Sequence, residues 1–426
     1  MRAQTVPVDD LLVGHPDPVE AAREHVATNA LRDGPLQRIG LELEMHLVDL
    51  ASPGGRPAWS TVQCALAALP ALPGGSTVSV EPGGQVELST PPLVGVGAAV
   101  AALRADRAVL VAALAALGLG AAPLGSDPAR APARTNPGPR YAAMQRHFEA
   151  VGTGAPGLQM MTATAALQVN LDAGPSVGWP GRLTHLRGLL PVLAAISATS
   201  AHLGGRSSGW RSMRQQAWAG LDPRRAGPVA GRTTGQDWPG RWADHALAAP
   251  VMMTLEAGVE TPTTRCVPFA AWLRRPHLLG RAATLADLDH HLTTLFPPLR
   301  PRGYLELRCL DALPDRWWPA VAALVVTLAD DPVAADQAAD ACGPLADGDT
   351  ATALASAARD GLAEPALRAA VRACTEIAAR HAPPGLEDDL AVLAALAADG
   401  RSVGEELRAR AEKDGPLRLL EEEARA

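Results

Sequence analysis

Three short segments of the chain alternate apolar and polar residues, and this alternation constrains the fold more than any other feature. The segments are residues 38–50, 167–171 and 304–308. Successive side chains of a β-strand point to opposite faces of its sheet, so each segment is predicted to be a strand with one apolar and one polar face. The first strand is expected to be half buried, with its acidic residues on the open face.

The polar faces of these predicted strands carry mainly carboxylate and amide groups. They comprise Glu42, Glu44, His46 and Val48 in the first segment, Gln168 and Asn170 in the second, and Tyr304, Glu306 and Arg308 in the third. Two further acids, Glu81 and Glu87, flank the dipeptide Gly83-Gly84. Because paired glycines readily supply positive φ in a tight turn, a hairpin or sharp bend is predicted there.

These acids are expected to converge if the strands belong to one sheet. At short range in a low-dielectric site, carboxylates repel one another unless a cation neutralises them or they are protonated. Mg²⁺ prefers oxygen ligands and bridges carboxylates to the phosphates of ATP, so the pattern predicts a phosphoryl-transfer site. The alternative is that each polar face is only the solvated face of an antiparallel sheet.

Helical patterns fill most of the remaining chain. Helices are predicted from Asp17-Pro18 to about Leu31, over residues 96–117, from Tyr141 onward and over residues 183–200. Residues 204–240 are rich in Arg, Trp, Gly and Pro and are interpreted as a long functional loop. Beyond about Asp331 the chain is Ala-rich and predicts further helices. We therefore expect one catalytic domain in residues 1–330, with residues 331–426 as a helical layer packed on it.

Charge and cysteine content exclude several classes of protein. The 38 basic and 45 acidic residues give a net charge of −7, without the basic cluster that binding to nucleic acid requires. The five cysteines are widely spaced and the N-terminus has no apolar signal segment, so a reduced, cytoplasmic protein without a membrane partner is predicted. Lys413 is the only lysine, so an anion site must use arginine, backbone amides or metal ions.

Individual residues exclude several other catalytic motifs. A P-loop needs a lysine that the chain lacks, and residues 118–123 carry Pro123 where a dinucleotide loop needs its third glycine. His290 and His291 are adjacent, so on a helix they diverge, and no His-Glu-x-x-His motif makes a zinc site of them. A structural or capping role is predicted for the pair.

Several ordered blocks resemble a known family. They are residues 38–44 (RIGLELE), 81–89 (EPGGQVELS), 139–144 (PRYAAM), 160–172 (MMTATAALQVNLD), 209–218 (GWRSMRQQAW), 291–298 (HLTTLFPP) and 302–308 (RGYLELR). In these blocks the chain resembles the glutamate–cysteine ligases of the carboxylate–amine ligase superfamily. The resemblance is greatest to the actinobacterial branch that serves ergothioneine biosynthesis.

The resemblance implies an α+β fold with a glutamine-synthetase-like curved antiparallel sheet flanked by helices and an α-helical C-terminal region. The sheet would surround a funnel, with ATP and Mg²⁺ at one end and the amino acids at the other. The implied metal-site residues are Glu42, Glu44, Glu81, Glu87, Gln168 and Glu306.

The resemblance also implies roles around the substrates. Asn170 would contact the substrate and the nucleotide, and Arg308 would stabilise the transferring phosphoryl group. Arg140 and Arg214 would clamp a carboxylate, since a guanidinium matches that geometry bidentately, although Arg211 could replace Arg214. Tyr141 and Trp218 would line the amino-acid pocket, with burial in the core as the alternative for each.

The implied reaction joins the γ-carboxylate of glutamate to the amine of cysteine after activation by ATP. Two alternatives stay open at this point: a ligase of the same superfamily with another amine acceptor, and a non-catalytic homologue that only binds ligands. The sequence predicts no oligomeric state.

Overall fold

The fold is organised around an eight-stranded antiparallel sheet. The computed structural model describes residue 12 and residues 15–229, 237–346 and 349–426 of the chain. The strands are β1 (Arg38–Asp49), β2 (Thr77–Val80), β3 (Val86–Ser89), β4 (Leu93–Val94), β5 (Leu119–Ala122), β6 (Ala166–Leu171), β7 (Met253–Glu256), β8 (Val259–Pro262), β9 (Leu299–Pro301) and β10 (Leu305–Asp311). The main path runs β2-β3-β1-β6-β10-β9, β4 and β5 also pair with β1, and β7 and β8 form a separate hairpin. The three predicted strands and the predicted hairpin are confirmed.

Helices surround this sheet. They are α1 (Pro18–Ala30), α2 (Trp59–Ala67), α3 (Val96–Ala115), α4 (Pro139–Ala150), α5 (Gly154–Ala163), α6 (Trp179–Ile196), α7 (Met213–Ala219), α8 (Pro223–Ala226), α9 (Trp238–Ala248), α10 (Phe269–Arg274), α11 (Leu285–Leu292), α12 (Trp318–Asp330), α13 (Pro332–Ala346), α14 (Thr350–Asp360), α15 (Pro365–Arg380), α16 (Glu387–Ala398), α17 (Val403–Asp414) and α18 (Pro416–Arg425). The Asp17 carboxylate accepts hydrogen bonds from the backbone N–H of Val19 and Glu20, which confirms the predicted start of α1.

The apolar face of the sheet packs against three helices. Leu41, Leu43 and Met45 of β1 are fully buried on this face. α3 contacts β1, α12 contacts β6, and α6 contacts β10. α12 is apolar around its whole circumference and is buried along its length, as expected for a helix inside a core. These contacts hold the strands in one register and so fix the positions of the polar side chains on the opposite face.

The register of the sheet brings the polar side chains of four strands next to one another. Glu44 of β1 lies opposite Glu87 of β3, and Glu42 lies opposite Gln168 of β6. Asn170 of β6 is in turn opposite Glu306 of β10. Directly opposite residues in antiparallel strands have Cβ atoms about 4.5–5.5 Å apart, so the strand pairing alone makes these groups neighbours.

The turn between β2 and β3 places Glu81 close to this face. Gly84 has φ of +85°, a conformation that L side chains rarely adopt, and Gly83 approaches the Thr162 carbonyl so closely that a Cβ atom would meet it at 2.2 Å. The Glu81 N–H donates to the Gln85 carbonyl at 2.8 Å and closes the turn. Both glycines are therefore required here, one by φ and the other by space.

One end of the polar face of β1 is covered rather than open. His46 and Val48 are 1% and 0% exposed, and Val48 packs in a cluster with Leu407 of α17 and Leu420 of α18. The prediction of an open face is wrong for this end of the strand, because the C-terminal helices fold back over it.

The interpretation of residues 204–240 as one long loop is also wrong for residues 213–219, 223–226 and 238–240, which are helical. Ser212 caps α7 by accepting from the Gln215 N–H at 3.1 Å, and Asp222 caps α8 by accepting from the Arg224 N–H at 2.9 Å. Residues 230–236 lie outside the described residues, as do residues 1–11, on which the prediction about a signal segment fell.

No single helix in the described part of the chain is long and apolar enough to cross a membrane. Only α12 and α13 taken together reach the required length and hydropathy, and they are bent by 96° relative to each other.

Candidate active site

Eleven of the twelve predicted site residues line one cavity of about 280 Å³, here called the acidic cavity. They are Glu42, Glu44, Glu81, Glu87, Arg140, Tyr141, Gln168, Arg214, Trp218, Glu306 and Arg308. The twelfth, Asn170, lines a neighbouring cavity. The predicted convergence of the strands is therefore confirmed, and the alternative of separate solvated faces does not describe these acids.

Three of the acids lie in surroundings that disfavour their charged form. Burial, and then the neighbouring carboxylates of Glu81 and Glu87, raise the pKa of Glu44 well above its usual value. Burial and then Glu87 raise the pKa of Glu81 to about 7, and burial followed by Glu87 and Glu306 raises the pKa of Glu42. A site that makes several carboxylates hard to ionise is one that favours a bound cation.

Amide groups orient two of these acids. The Glu44 carboxylate accepts from the Ala166 N–H at 2.8 Å and from Gln168 Nε2 at 3.3 Å. Glu42 accepts from Asn170 Nδ2 at 2.8 Å. The amides hold the carboxylates in place without neutralising them, so the negative charge stays available to a ligand.

Glu306 has the opposite environment. Arg300 donates to both of its carboxylate oxygens, with Nη2 2.9 Å from Oε1, and Arg308 Nη1 lies 3.2 Å from Oε1. Burial alone raises the pKa of Glu306, but Arg308 and Arg300 outweigh it and lower the pKa to about 2. Glu306 is thus a compensated anion that holds two guanidinium groups against the acidic cavity. The Arg308 guanidinium also donates to Gln168 Oε1.

Arg308 lies where the β10 strand departs from regular pairing. The register of β10 against β6 shifts between Leu307 and Leu310, while on the β9 side the Arg308 N–H donates to the Pro298 carbonyl at 2.9 Å. Such bulges redirect a side chain. Burial lowers the pKa of Arg308, but Glu306, Glu42 and Glu44 raise it by more, so the guanidinium stays charged.

Arg140 is held at the rim of the cavity by two other elements. Its Nη1 lies 3.0 Å from Glu260 Oε1 in β8, and its Nη2 donates to Thr293 Oγ1 at 2.8 Å. Neighbouring Tyr141 donates to the Val80 carbonyl at 3.4 Å and remains half buried. The β7–β8 hairpin that supplies Glu260 was not predicted.

Arg214, and not Arg211, faces the cavity. Arg214 is 2% exposed and its Nη2 donates to the Arg308 carbonyl at 2.8 Å. Arg211 lines neither cavity, and its side chain instead lies against Gly361. Trp218 packs edge-on against Phe296, with ring centroids 5.5 Å apart, while part of its ring lines the cavity.

A second cavity of about 380 Å³, here called the adjacent cavity, opens beside the acidic cavity. It is lined by Arg32, Asp33, Gly34, Pro35, Arg38, Gly40, Glu42, Thr90, Pro92, Asn170, Leu171, Asp172, Arg302, Gly303 and Tyr304. Its walls combine three arginines with the phenol ring of Tyr304, which suits a ligand with both anionic and aromatic parts.

The donor set fits Mg²⁺ rather than a thiolate- or imidazole-binding metal. The carboxylates of Glu42, Glu44, Glu81 and Glu87 line the acidic cavity, and the buried Asn170 Oδ1 beside Glu42 accepts no hydrogen bond from the described residues. No three acid, histidine or cysteine side chains of the described ranges already surround one point as a closed cage. Mg²⁺ does not need one, because it keeps several waters and uses one or two carboxylates plus substrate phosphates.

Comparison with family models gives a match over residues 38–423 to the family described as glutamate–cysteine ligase family 2 (GCS2). The match takes in the whole sheet and all twelve predicted site residues. The chain belongs to glutamate–cysteine ligase family 2. This confirms the resemblance that the ordered sequence blocks indicated.

Two curated glutamate–cysteine ligases are similar to this chain over most of its length. The glutamate–cysteine ligase EgtA of Mycolicibacterium smegmatis is 50% identical over 375 residues, which is 88% of this chain and 87% of the relative. EgtA of Mycobacterium tuberculosis H37Rv is 51% identical over 397 residues, or 91% and 90%.

A solved structure supports the fold independently. The glutamate–cysteine ligase of Francisella tularensis, solved in complex with AMP, is similar with a TM-score of 0.54 at 10% identity. The similarity covers 92% of this chain and 88% of that one. The expected ligase-type fold is thereby confirmed.

Several residues of the candidate site were not predicted from the sequence. Arg300, Arg302, Thr293 and Phe296 all line the acidic cavity. The predicted polar face of the third strand was Tyr304, Glu306 and Arg308. Arg302 and Arg300 are the preceding residues at the same period of two, so extending this alternation toward the N-terminus could have identified them. Glu260 had no such signal, because its hairpin reaches the site only through tertiary packing.

Proposed function

We propose that this protein is an ATP-dependent glutamate–cysteine ligase that forms γ-glutamylcysteine through γ-glutamyl phosphate and serves ergothioneine biosynthesis. The observation that carries the proposal is the convergence of four acids, Glu42, Glu44, Glu81 and Glu87, beside the charged Arg308 in one cavity. Such a site suits a metal-bound nucleotide and a carboxylate that receives its phosphoryl group. The identity of about 50% to the EgtA ligases over most of the chain supports glutamate and cysteine as the substrates.

ATP is proposed to bind in the adjacent cavity with its phosphates directed toward Glu42. Arg32 and Arg38 line that cavity and can pair with phosphate oxygens, and Tyr304 offers an aromatic surface. The AMP complex of the Francisella tularensis ligase supports an adenine nucleotide as the ligand class.

Glu42, Glu44, Glu81 and Glu87 would hold Mg²⁺, with Gln168, Asn170 and Glu306 as further candidates. Bound there, Mg²⁺ would neutralise part of the negative charge of the phosphates, including that of the γ-phosphoryl group. Of these candidates, Gln168 and Glu306 are already engaged by Arg308, so they are proposed to position that arginine as well.

Phosphorylation makes the glutamate carboxylate reactive. One oxygen of the γ-carboxylate forms a bond to the γ-phosphorus of ATP while the bond to the bridging oxygen breaks, and ADP keeps that electron pair. Arg308 is aimed into the cavity by Glu306 and Gln168, so its charge is already in place when the phosphoryl oxygens arrive. A preorganised cation stabilises the developing charge without reorganising.

The cysteine amine then attacks the carbonyl carbon of γ-glutamyl phosphate, phosphate leaves with the electrons of the broken C–O bond, and the proton that the nitrogen loses ends on the phosphate. Arg140, fixed by Glu260 and Thr293, is proposed to bind a substrate carboxylate. Arg214 is proposed to assist from deeper in the cavity. Tyr141 and Trp218 form the apolar wall, and the buried Trp218 Nε1 has no acceptor among the described residues and can donate to the substrate.

We also propose that residues 331–426 are a layer of the same catalytic domain. α18 contacts β5 and β1, and α13 contacts α6, so these helices share the core of the sheet. A chain ended after α12 would expose Val48 and the surface of α6, and is expected to be insoluble or unfolded.

A panel of amines tests the proposal directly. The protein is incubated with ATP, Mg²⁺, glutamate and one amine at a time, and ADP formation is measured together with the mass of the product. Cysteine is expected to give the highest kcat/KM, with one ADP per γ-glutamylcysteine. A higher kcat/KM with another amine would reassign the acceptor, and ADP formation that does not depend on glutamate would overturn the proposal.

A further inference from the structure

The acidic cavity and the adjacent cavity share two of their lining side chains. These are Glu42, at the start of the β1 acid series, and Arg302, in the turn between β9 and β10. Any group that passes from a ligand in one cavity to a ligand in the other must cross this boundary. The boundary therefore carries one acid and one arginine that face both ligands.

Arg302 is the least committed of the three arginines around Glu306. Arg300 donates to both Glu306 oxygens, and Arg308 donates to Glu306 and to Gln168. Arg302 Nη1 only approaches Glu306 at 3.8 Å, its side chain is 50% exposed, and it makes no side-chain hydrogen bond within the described ranges. Its five N–H donors are available to a ligand.

The backbone around Arg302 is nevertheless firmly held. The Arg302 N–H donates to the Tyr304 carbonyl at 2.8 Å. Gly303, with φ of +77°, donates to the Ala30 carbonyl at 2.8 Å and accepts from the Arg32 N–H at 2.9 Å. The end of α1 thus anchors the turn, and the position of Arg302 follows from secondary structure rather than from a free loop. A free guanidinium on a fixed turn is well placed to bind an incoming anion.

We propose that Arg302 is a further catalytic residue, which contacts the phosphoryl group as it crosses from ATP in the adjacent cavity to the carboxylate in the acidic cavity. This inference rests on the proposed function. In the step, the new bond joins the carboxylate oxygen to the γ-phosphorus, the bond to the β–γ bridging oxygen breaks, and ADP keeps the electron pair. Arg302 exchanges no proton. It stabilises the charge on the equatorial phosphoryl oxygens, while Arg308 acts from the side of the acidic cavity.

The partial reaction isolates this role from the amine step. ATP labelled with ¹⁸O in the β–γ bridge is incubated with Mg²⁺ and glutamate, without an amine, and movement of the label into the non-bridging β position is followed. Such exchange reports reversible formation of γ-glutamyl phosphate alone. Arg302→Gln is expected to lower the exchange rate about 10²–10³-fold, as loss of one preorganised charge-stabilising donor does. KM for ATP and KM for glutamate are expected to change by less than about threefold, because a group that acts mainly in the transition state adds little to ground-state binding.

Matched variants separate this effect from general loss of positive charge. Arg38→Gln removes a half-exposed arginine that lines only the adjacent cavity, and it should raise KM for ATP with little change in kcat. Arg274→Gln removes an exposed arginine outside both cavities and should change neither constant. Arg302→Lys should recover only part of the rate, since an ammonium group cannot reproduce the guanidinium fork.

The outcomes are distinguishable. If wild-type protein exchanges the label and Arg302→Gln does so within threefold of its rate, Arg302 is not catalytic. If Arg302→Gln changes only KM for ATP, as Arg38→Gln does, it is a nucleotide-binding residue and the inference is wrong. If wild-type protein shows no glutamate-dependent exchange and makes no ADP with any amine, the proposed function itself fails.

Discussion

The polar face of β1 has two ends with opposite chemistry. At one end Glu42 and Glu44 line a cavity, where burial and then neighbouring carboxylates raise the pKa of both. Farther along the same face, His46 and Val48 are buried, and the charges beside them are paired. The same alternation along one strand thus produces a ligand site at one end and a closed polar core at the other.

At the closed end a buried carboxylate is paired with two arginines. Buried Asp127 pairs with Arg130 at 2.7 Å and with Arg56 at 3.2 Å. Burial raises the pKa of Asp127, but Arg130, His46 and Arg56 together lower it by more. The paired charges at the closed end contribute to stability. The acids at the open end are instead positioned to bind a ligand.

The largest effect on stability is expected at the closed end. Asp127→Asn leaves the buried guanidinium of Arg130 without its counter-ion, which costs about 3–5 kcal/mol of unfolding free energy. Urea unfolding measures it, and activity per folded molecule should stay near wild type. Asp360→Asn is the matched control, because Asp360 pairs with Arg359 at the surface and should change stability little. Wild-type stability of Asp127→Asn would contradict the view that this end is structural.

The open end is expected to show the reverse pattern. Glu81→Gln removes one carboxylate of a repelling pair, so melting temperature should stay the same or rise. Ligase activity should fall at least about 100-fold, since even residues that only support metal ligands cost 10–100-fold. Kinetics with cysteine and a melting curve measure both quantities, with exposed Glu376→Gln as the control. A destabilised protein with full activity would mean that Glu81 is a structural residue.

The smallest effect concerns the apolar cover of the closed end. Val48→Ala removes two methyl groups from the cluster that includes Leu407 and Leu420, which should cost about 1–2 kcal/mol. Thermal unfolding measures the loss, and kcat/KM should be unchanged. A fall in kcat/KM without a loss of stability would show that the C-terminal helices act on the site and do not merely close it off.

Local sequence pattern predicted the open end well. The period of two placed Glu42, Glu44, Gln168 and Glu306 on one face, and antiparallel pairing then had to bring them together. Gly83 and Gly84 marked the turn that carries Glu81. The fold family and the central part of the candidate site could therefore be predicted from short segments of the sequence.

The cover of β1 was not readable from those segments. It comes from α17 and α18, which are remote in sequence and contact β1 and β5 only through tertiary packing. The alternation of apolar and polar residues in a strand shows which side chains share a face. It does not show whether another element of the fold covers that face. Glu260 was missed for the same reason. The α7 and α8 helices were missed for a different one: the capping residues Ser212 and Asp222 are local signals that glycine and proline content obscured.

The central claim is that the open end of this face holds Mg²⁺ between the acids and the phosphates of ATP. Crystals grown with Mn²⁺ and a non-hydrolysable ATP analogue would test it through the anomalous signal of manganese. Manganese peaks are expected within coordination distance of at least two of Glu42, Glu44, Glu81 and Glu87, with the triphosphate on the other side of the metal. Nucleotide bound in either cavity with manganese absent from these four carboxylates would contradict it.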